Sequence, residues 1–146
     1  MNHEIIVAGK PSLKYAKDGT AEYLKRLTRY GSYKLTHIKD GTSEDVSKRL
    51  FDASKGTVRI VMDERGATPT TQELVKLYNK WEMRGYKKVS FLIGASDGHT
   101  QQLRNEADFV LSLSSLTLMH ELALLVLLEQ VYRVATIKRG EPYHRD

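Results

Sequence analysis

Short strand-like runs alternate with helical runs along the whole chain, and this alternation constrains the fold more than any other feature. The strand-like runs cover residues 4–8, 34–39, 57–62, 89–93 and 109–113. Runs with helical spacing lie at 20–30, 43–54, between Thr70 and Gly85, at 100–106 and at 120–138. Strands that are joined through helices pair in parallel. The sequence therefore predicts an α/β fold, a mostly parallel sheet with helices on both faces.

The chain is expected to form one domain, residues 1–146. A length of 146 residues suits a single hydrophobic core, and no repeat, linker or low-complexity tract interrupts it. The apolar run from Leu122 to Leu128 is shorter than the ~20 residues that a membrane span needs, so it is interpreted as a helix buried on several sides. The N-terminus lacks the pattern of a signal peptide, and a cytoplasmic location is expected.

Local signals mark two helix starts. Thr70 and Glu73 have the spacing of a capping box, in which each side chain accepts a hydrogen bond from the other residue's backbone N–H. Ser43 is expected to cap the helix that ends near Ser54. Leu74, Leu77, Tyr78 and Trp81 follow the capping box as an apolar stripe.

Several kinds of site are excluded or made improbable by the sequence. The chain has no cysteine, and none of its five histidines forms an H-x-x-x-H pair, so no metal site is expected. Neither a G-x-G-x-x-G motif after the first strand nor a Walker A motif is present. Ser96 does lie in a literal G-x-S-x-G, with Asp108 and His120 or His144 downstream. A hydrolase of that type usually needs a larger sheet, so this interpretation is disfavoured.

Positive charge is concentrated in the first 39 residues. Eight lysines and arginines stand there against three acids, a surplus equal to the net charge of +5 for the whole chain. Tyr15, Tyr23, Tyr30 and Tyr33 are interleaved with these cations. Phosphates attract cations and bases stack on aromatic rings, so this segment suits RNA. A solvated helix face would have the same composition.

Three polar loops follow strands and are the candidate ligand site. They contain residues 62–66, 94–98 and 112–117. Ligands of open α/β sheets bind beyond the carboxyl ends of the strands. Glycine lets backbone approach a ligand, and free N–H and C=O groups can bind an adenine or a ribose. Plain turns between strand and helix are the alternative interpretation.

Six segments resemble one known family along the whole chain. They are IVAGK (6–10), EYLKRL (22–27), FLIGASDG (91–98), LSLSSLTLMH (111–120), LEQVYR (128–133) and GEPYHR (140–145). These blocks resemble the ribosomal RNA large subunit methyltransferase H family of the SPOUT superfamily. The chain differs from the family pattern at Ala95, Met119 and Leu124, and its stretch from Asp40 to Lys55 is shorter than usual.

The resemblance implies a fold, an activity and a site. Members of the family are homodimers with a C-terminal trefoil knot that methylate N3 of a pseudouridine in a stem-loop of 23S rRNA, with S-adenosylmethionine as donor. The family's methyl-donor pocket corresponds here to Met62, Gly94, Leu113, Ser114, Ser115, Leu116, Thr117 and Leu118. These residues belong to the same three loops that the residue pattern alone indicates as a ligand site.

Methylation at N3 requires loss of the imide proton, so a general base or a stabiliser of negative charge is expected. The candidates are His120, Arg133, Tyr143 and His144. The structural alternatives are a helix-start role for His120 and a salt bridge to Glu129 for Arg133. For Tyr143 and His144 the alternative is a frayed tail. The resemblance implies that the tail folds over a methyl-donor pocket, that of the partner subunit.

Two alternative functions stay open at this point. One is a SPOUT methyltransferase that acts on another rRNA site or on tRNA, and the other is a catalytically degenerate RNA-binding dimer. The helix at 120–138 is apolar on more sides than one small domain covers, which predicts a two-fold homodimer, with Leu125 as an interface residue.

Overall fold

A computed structural model of the chain describes residues 1–145. Its five strands form one sheet in the order β2-β1-β4-β3-β5, and every pair of neighbours is parallel. The prediction of a parallel α/β sheet is confirmed. The strands are β1 (Asn2–Ala8), β2 (Tyr33–Ile38), β3 (Val58–Ala67), β4 (Lys88–Ile93) and β5 (Phe109–Leu111).

Helices cover both faces of the sheet, as predicted. Alternate residues of β1 point to opposite faces, so Ile5 and Val7 enter one core and Ile6 and Ala8 enter the other. The helices are α1 (Lys14–Leu27), α2 (Ser43–Ala53), α3 (Thr71–Met83), α4 (Gln101–Asn105) and α5 (His120–Lys138). The first core takes residues of α1, α3 and α5, and the second takes residues of α2 and α4.

Helix α1 begins at Lys14, six residues before the predicted start at Thr20. Its N-cap residue, Leu13, has no side chain able to cap it. The carboxylate of Glu121, in the first turn of α5, instead accepts hydrogen bonds from the backbone N–H groups of Ser12 and Leu13. A carboxylate at a helix N-terminus satisfies free N–H groups and suits the positive end of the helix dipole. The start of α1 is therefore set by a distant residue.

Two predicted caps have different outcomes. The capping box of Thr70 and Glu73 is present. The cap of α2 is Thr42 rather than Ser43, since the Thr42 side chain accepts from the N–H of Asp45. The prediction for Ser43 was wrong by one residue, and its hydroxyl instead donates to the carbonyl of Gly98, 2.7 Å away.

Strand β3 is longer than predicted because it contains a bulge. Met62 and Ala67 both pair with Leu111 of β5, so residues 63–66 leave the ladder. Gly66 makes this possible, because a Cβ there would lie 2.5 Å from the carbonyl oxygen of Val110. The bulge moves Asp63, Glu64 and Arg65 to the carboxyl edge of the sheet.

Helix α5 has the predicted bounds, and almost all of its residues are buried or half-buried. No residue from His120 to Ile137 is exposed, and the outer positions Leu122, Val126, Glu129 and Arg133 are half-buried. Within residues 1–145, no helix is long and apolar enough to cross a membrane.

Candidate functional site

A cavity of about 540 Å³ opens where β3, β4 and β5 end. This volume lies within the range of roughly 300–1,000 Å³ that is usual for small-molecule pockets. Its walls come from the β3 bulge, the loop after β4 and the loop between β5 and α5, which are the three segments that the sequence indicates as a ligand site. The lining residues include 62–65, 93–99, 111–114, 116–120 and Ala123.

Most of the predicted methyl-donor residues meet at this cavity. The cavity wall contains Met62, Gly94, Leu113, Ser114, Leu116, Thr117 and Leu118. Ser115 is not among the lining residues, although its neighbours are. Of the predicted catalytic residues, His120 lies at the cavity, at the first position of α5.

The loop before α5 is held by its own hydroxyl groups. Ser112 Oγ donates to the carbonyl of Ser114 at 2.7 Å, and Ser114 Oγ accepts from the N–H of Leu116 at 2.9 Å. Thr117 Oγ1 donates to the carboxylate of Glu64 across the cavity, 2.5 Å away. Leu116 remains 73% exposed, which leaves an apolar side chain at the cavity mouth.

His99 is a site residue that sequence reasoning missed, because this histidine was considered there only as a possible zinc ligand. Its ring is 7% exposed and lines the cavity. Nε2 lies 3.0 Å from the carbonyl oxygen of Met62. Burial lowers the pKa of His99, despite the opposing effects of the Asp63 carboxylate and nearby carbonyls. The ring is therefore neutral at pH 7.

A buried carboxylate lies beside His99. The Asp63 side chain is 4% exposed and pairs with Arg65 at 3.3 Å and with Arg104 at 3.5 Å. Arg104 also donates to the carbonyl of His99, 2.6 Å away. The two ion pairs of this buried carboxylate fix the loop after β4 against the β3 bulge. The local sequence held no signal for this pairing.

The other three predicted catalytic residues form a second cluster, where the tail after α5 packs on the C-terminal half of that helix. Glu129 accepts hydrogen bonds from Arg133 Nε at 2.9 Å and from the hydroxyl of Tyr143 at 3.1 Å. The guanidinium of Arg133 lies 4.7 Å from the Tyr143 ring centroid, and its Nη1 is 3.1 Å from Nδ1 of His144. The salt bridge to Glu129 exists, and the tail is packed rather than frayed.

Electrostatic effects in this cluster keep Tyr143 and Arg133 protonated. Burial and the neighbouring Tyr23 and Glu129 raise the pKa of Tyr143. Glu129 also raises the pKa of Arg133. Arg133 can only donate, so His144 Nδ1 accepts in their contact. The cluster therefore contains a protonated tyrosine hydroxyl and a cation.

The two groups of predicted catalytic residues do not meet within the chain. His120 and Arg133 lie on the same helix, and a rise of 1.5 Å per residue separates them by roughly 20 Å. Arg133, Tyr143 and His144 are absent from the cavity lining.

The contacts at Gly94 and Leu125 differ from those expected, which were a close approach of backbone to a ligand and a dimer interface. A Cβ on Gly94 would meet the His99 ring at 2.9 Å, so a side chain there collides with His99. Leu125, expected at a dimer interface, packs on helix α1 of the same chain, since its Cδ1 lies 2.6 Å from the position of a Cβ on Gly19. Among residues 1–145 no group of three or more histidine or acidic side chains could hold a metal ion.

Comparison with known proteins extends over the full length of the chain. The family described as predicted SPOUT methyltransferase matches residues 1–144. The chain is 43% identical over 145 residues to the ribosomal RNA large subunit methyltransferase H of Thermus thermophilus, covering 99% of each protein. It is 39% identical over 145 residues to the protein of the same name from Deinococcus radiodurans, with the same coverage.

A solved structure shares the fold. The tRNA (m1G37) methyltransferase of Aquifex aeolicus superposes with a TM-score of 0.58 at 14% identity, over 100% of this chain and 76% of that one.

Proposed function

The chain belongs to the SPOUT methyltransferase family, and from this premise we propose that it transfers a methyl group from S-adenosylmethionine to N3 of a pseudouridine in large-subunit ribosomal RNA. The observation that carries the proposal is the cavity where three strand-end loops meet, lined by Met62, Gly94 and the loop before α5. The names of the relatives, which match over 99% of their length, support ribosomal RNA as the substrate.

The residues present fit the methyl donor. The cavity combines apolar walls from Ile93, Leu113 and Leu118 with the hydroxyls of Ser114 and Thr117. Apolar side chains suit an adenine ring, and hydroxyl and backbone groups suit a ribose. S-adenosylmethionine supplies an electrophilic methyl group on its sulfonium sulfur. The protein's task is then to place the acceptor nitrogen in line with that methyl group.

The four candidate residues have different roles in the loss of the N3 proton. Arg133 stays cationic and Tyr143 stays protonated, so both stabilise negative charge that develops on the target base. His144 accepts from Arg133 through Nδ1, so it serves as a positioning group of this cluster. His120 lies at the cavity itself and is the remaining candidate for the general base that removes the N3 proton.

A homodimer would unite the two groups of residues. In one subunit, His120 and the Arg133 cluster are separated by ~20 Å along α5. Two copies of α5 that pack antiparallel about a two-fold axis would place the partner's Arg133 near the cavity. The half-buried outer positions Leu122 and Val126 supply apolar surface for that contact. Each active site would then contain residues of both subunits.

The remaining features follow the same proposal. Residues 1–146 form a single SPOUT domain, of which Asp146 lies outside the described residues, and a C-terminal trefoil knot stays a prediction. A ribosomal substrate places the reaction in the cytoplasm. The basic N-terminal third supplies cations for the RNA backbone.

The test is mass spectrometry of ribosomal RNA from cells with and without the gene, together with methyl transfer by the purified protein. Loss of one N3-methylated pseudouridine in the deletion strain supports the proposal. Loss of a methyl group elsewhere in rRNA or in tRNA assigns another SPOUT substrate. RNA binding without any methyl transfer identifies a degenerate RNA-binding dimer.

A further inference from the structure

We propose that His99 is a positioning residue that sets the spacing between the ends of β3 and β4 at the cavity, and that its ring is what requires a glycine at position 94. The inference rests on the proposed function, because the cavity is assigned to S-adenosylmethionine there. His99 is not assigned a contact with the reacting atoms; it acts through Met62 and Gly94.

The His99 ring is fixed to β3 by one directional hydrogen bond. Nε2 lies 3.0 Å from the carbonyl oxygen of Met62. A carbonyl can only accept, so Nε2 carries the proton of the neutral ring and Nδ1 carries none. Within the described part of the chain, Nδ1 has no hydrogen-bond partner. Among those residues, the strong polar contact of the ring is therefore with the cavity-lining carbonyl of Met62.

The other side of the ring lies against Gly94 of the loop after β4. A Cβ on Gly94 would lie 2.9 Å from Cε1 and 3.0 Å from Nδ1 of His99. Gly94 is not among the glycines with positive φ, so its backbone conformation is open to any residue. Glycine is needed at this position for space, and the His99 ring occupies that space.

The backbone of residue 99 is held as firmly as its ring. Arg104 donates to the carbonyl of His99 at 2.6 Å and pairs with Asp63 at 3.5 Å. The N–H of Thr100 donates to Ser47 Oγ of α2 at 3.0 Å. Met62 and Asp63 are adjacent on β3, so one strand end holds residue 99 through both side chain and backbone. These contacts hold the backbone of residue 99 in place, and the ring cannot swing away from Gly94 without breaking its hydrogen bond to Met62.

The consequence concerns cofactor geometry. Met62 and Gly94 both line the cavity, and His99 is in contact with both. The distance between the two walls is thus fixed by the width of one imidazole ring. Methyl transfer depends on placement, and a misplacement of about 1 Å is enough to slow an enzyme ~100-fold.

A thermal double-mutant cycle tests the packing part without any ligand. Gly94→Ala is expected to lower the Tm, because the new methyl group meets the ring. In the Gly94→Ala/His99→Ala protein that collision is gone, so the combined loss of Tm should be smaller than the sum of the two single losses. Additive losses would overturn the claim that His99 requires the glycine.

Gly85→Ala is the matched control for this cycle. Gly85 has a φ of +76°, and within the described residues no atom lies within 4 Å of the place that a Cβ would take, so alanine there is strained by its backbone alone. Its effect should add to that of His99→Ala. Coupling of the same size at Gly85 would mean that the cycle reports general destabilisation, and the inference would fail.

Calorimetry with S-adenosylhomocysteine tests the positioning part. His99→Ala should raise the Kd about tenfold, because the Met62 carbonyl loses its partner, and should leave the affinity for RNA unchanged. His99→Gln, whose side-chain amide can donate to the same carbonyl, should restore most of the affinity. Unchanged binding by His99→Ala would refute the positioning role. Failure of the wild-type protein to bind would refute the proposed cofactor instead, while the thermal cycle would still report on His99 and Gly94.

Discussion

Acid sensitivity of folding should depend on His3, a buried histidine at the start of β1. Its ring is 5% exposed and stacks between Tyr33 and Tyr78, with ring centroids 4.3 Å and 5.4 Å away. Neither ring nitrogen has a hydrogen-bond partner within residues 1–145. Burial, helped by the charged N-terminal amine, lowers the pKa of His3 from 6.5 to about 4.

The sign and size of the effect follow from proton linkage. Between pH 6.5 and pH 4 the unfolded chain binds a proton at His3 that the folded chain excludes. The free energy of unfolding therefore falls as the pH falls through this window. A pKa shift of ~2.5 units corresponds to a loss of about 3 kcal/mol, a large part of the stability of a small domain. His99 adds a loss of the same sign, since its pKa is also lowered.

The perturbation is His3→Phe, which keeps an aromatic ring in the stack and removes the titrating group. Urea unfolding at pH 7 and pH 4 gives the free energy of unfolding of both proteins. The wild type should lose about 3 kcal/mol more than the variant between these pH values. Contributions from carboxylates and from His99 are common to both proteins and cancel. Equal losses in the two proteins would show that His3 is not held neutral in the native state.

Three further predictions concern the tail and the dimer. Deletion of residues 142–146, of which the last lies outside the described residues, should abolish methyl transfer while S-adenosylhomocysteine binding falls only slightly, as measured on the same protein; His144→Ala should show part of that loss. Normal turnover by the truncated protein would make the tail merely structural. Val126→Glu should give a monomer in light scattering at micromolar concentration, because an unpaired carboxylate in an apolar contact costs several kcal/mol. If this variant is a stable dimer, the outer face of α5 is not the interface. The Tyr30 hydroxyl, whose pKa is raised to about 12, donates to Glu141 at 2.5 Å and holds the tail. Tyr30→Phe should therefore lower kcat several-fold at unchanged Tm. An unchanged kcat would argue against this contact.

Local patterns in the sequence were sufficient for the number and type of the elements. The bounds of α5 were predicted to the residue, and the capping box of Thr70 and Glu73 was predicted correctly. These features depend on neighbours within four residues, so periodicity and capping rules capture them. The three cavity loops were also found, because the carboxyl ends of parallel strands share one edge of the sheet.

Long-range contacts decided what the sequence alone could not. The start of α1 depends on Glu121, which is 109 positions from Ser12. The β3 bulge depends on the close approach of Gly66 to Val110, and the role of His99 depends on Gly94 and Met62 from neighbouring strands. None of these pairs has a local signature, since each exists only after the strands have taken the order β2-β1-β4-β3-β5.

The catalytic candidates show most clearly what the sequence determines and what only the tertiary structure decides. The sequence determined which residues are candidates for the chemistry: His120, Arg133, Tyr143 and His144. Only the tertiary structure placed His120 at the cavity, and Tyr143 and His144 of the tail beside Arg133 on the far half of α5. The reason is geometric, because a straight helix keeps residues 13 positions apart at roughly 20 Å, whatever their chemistry.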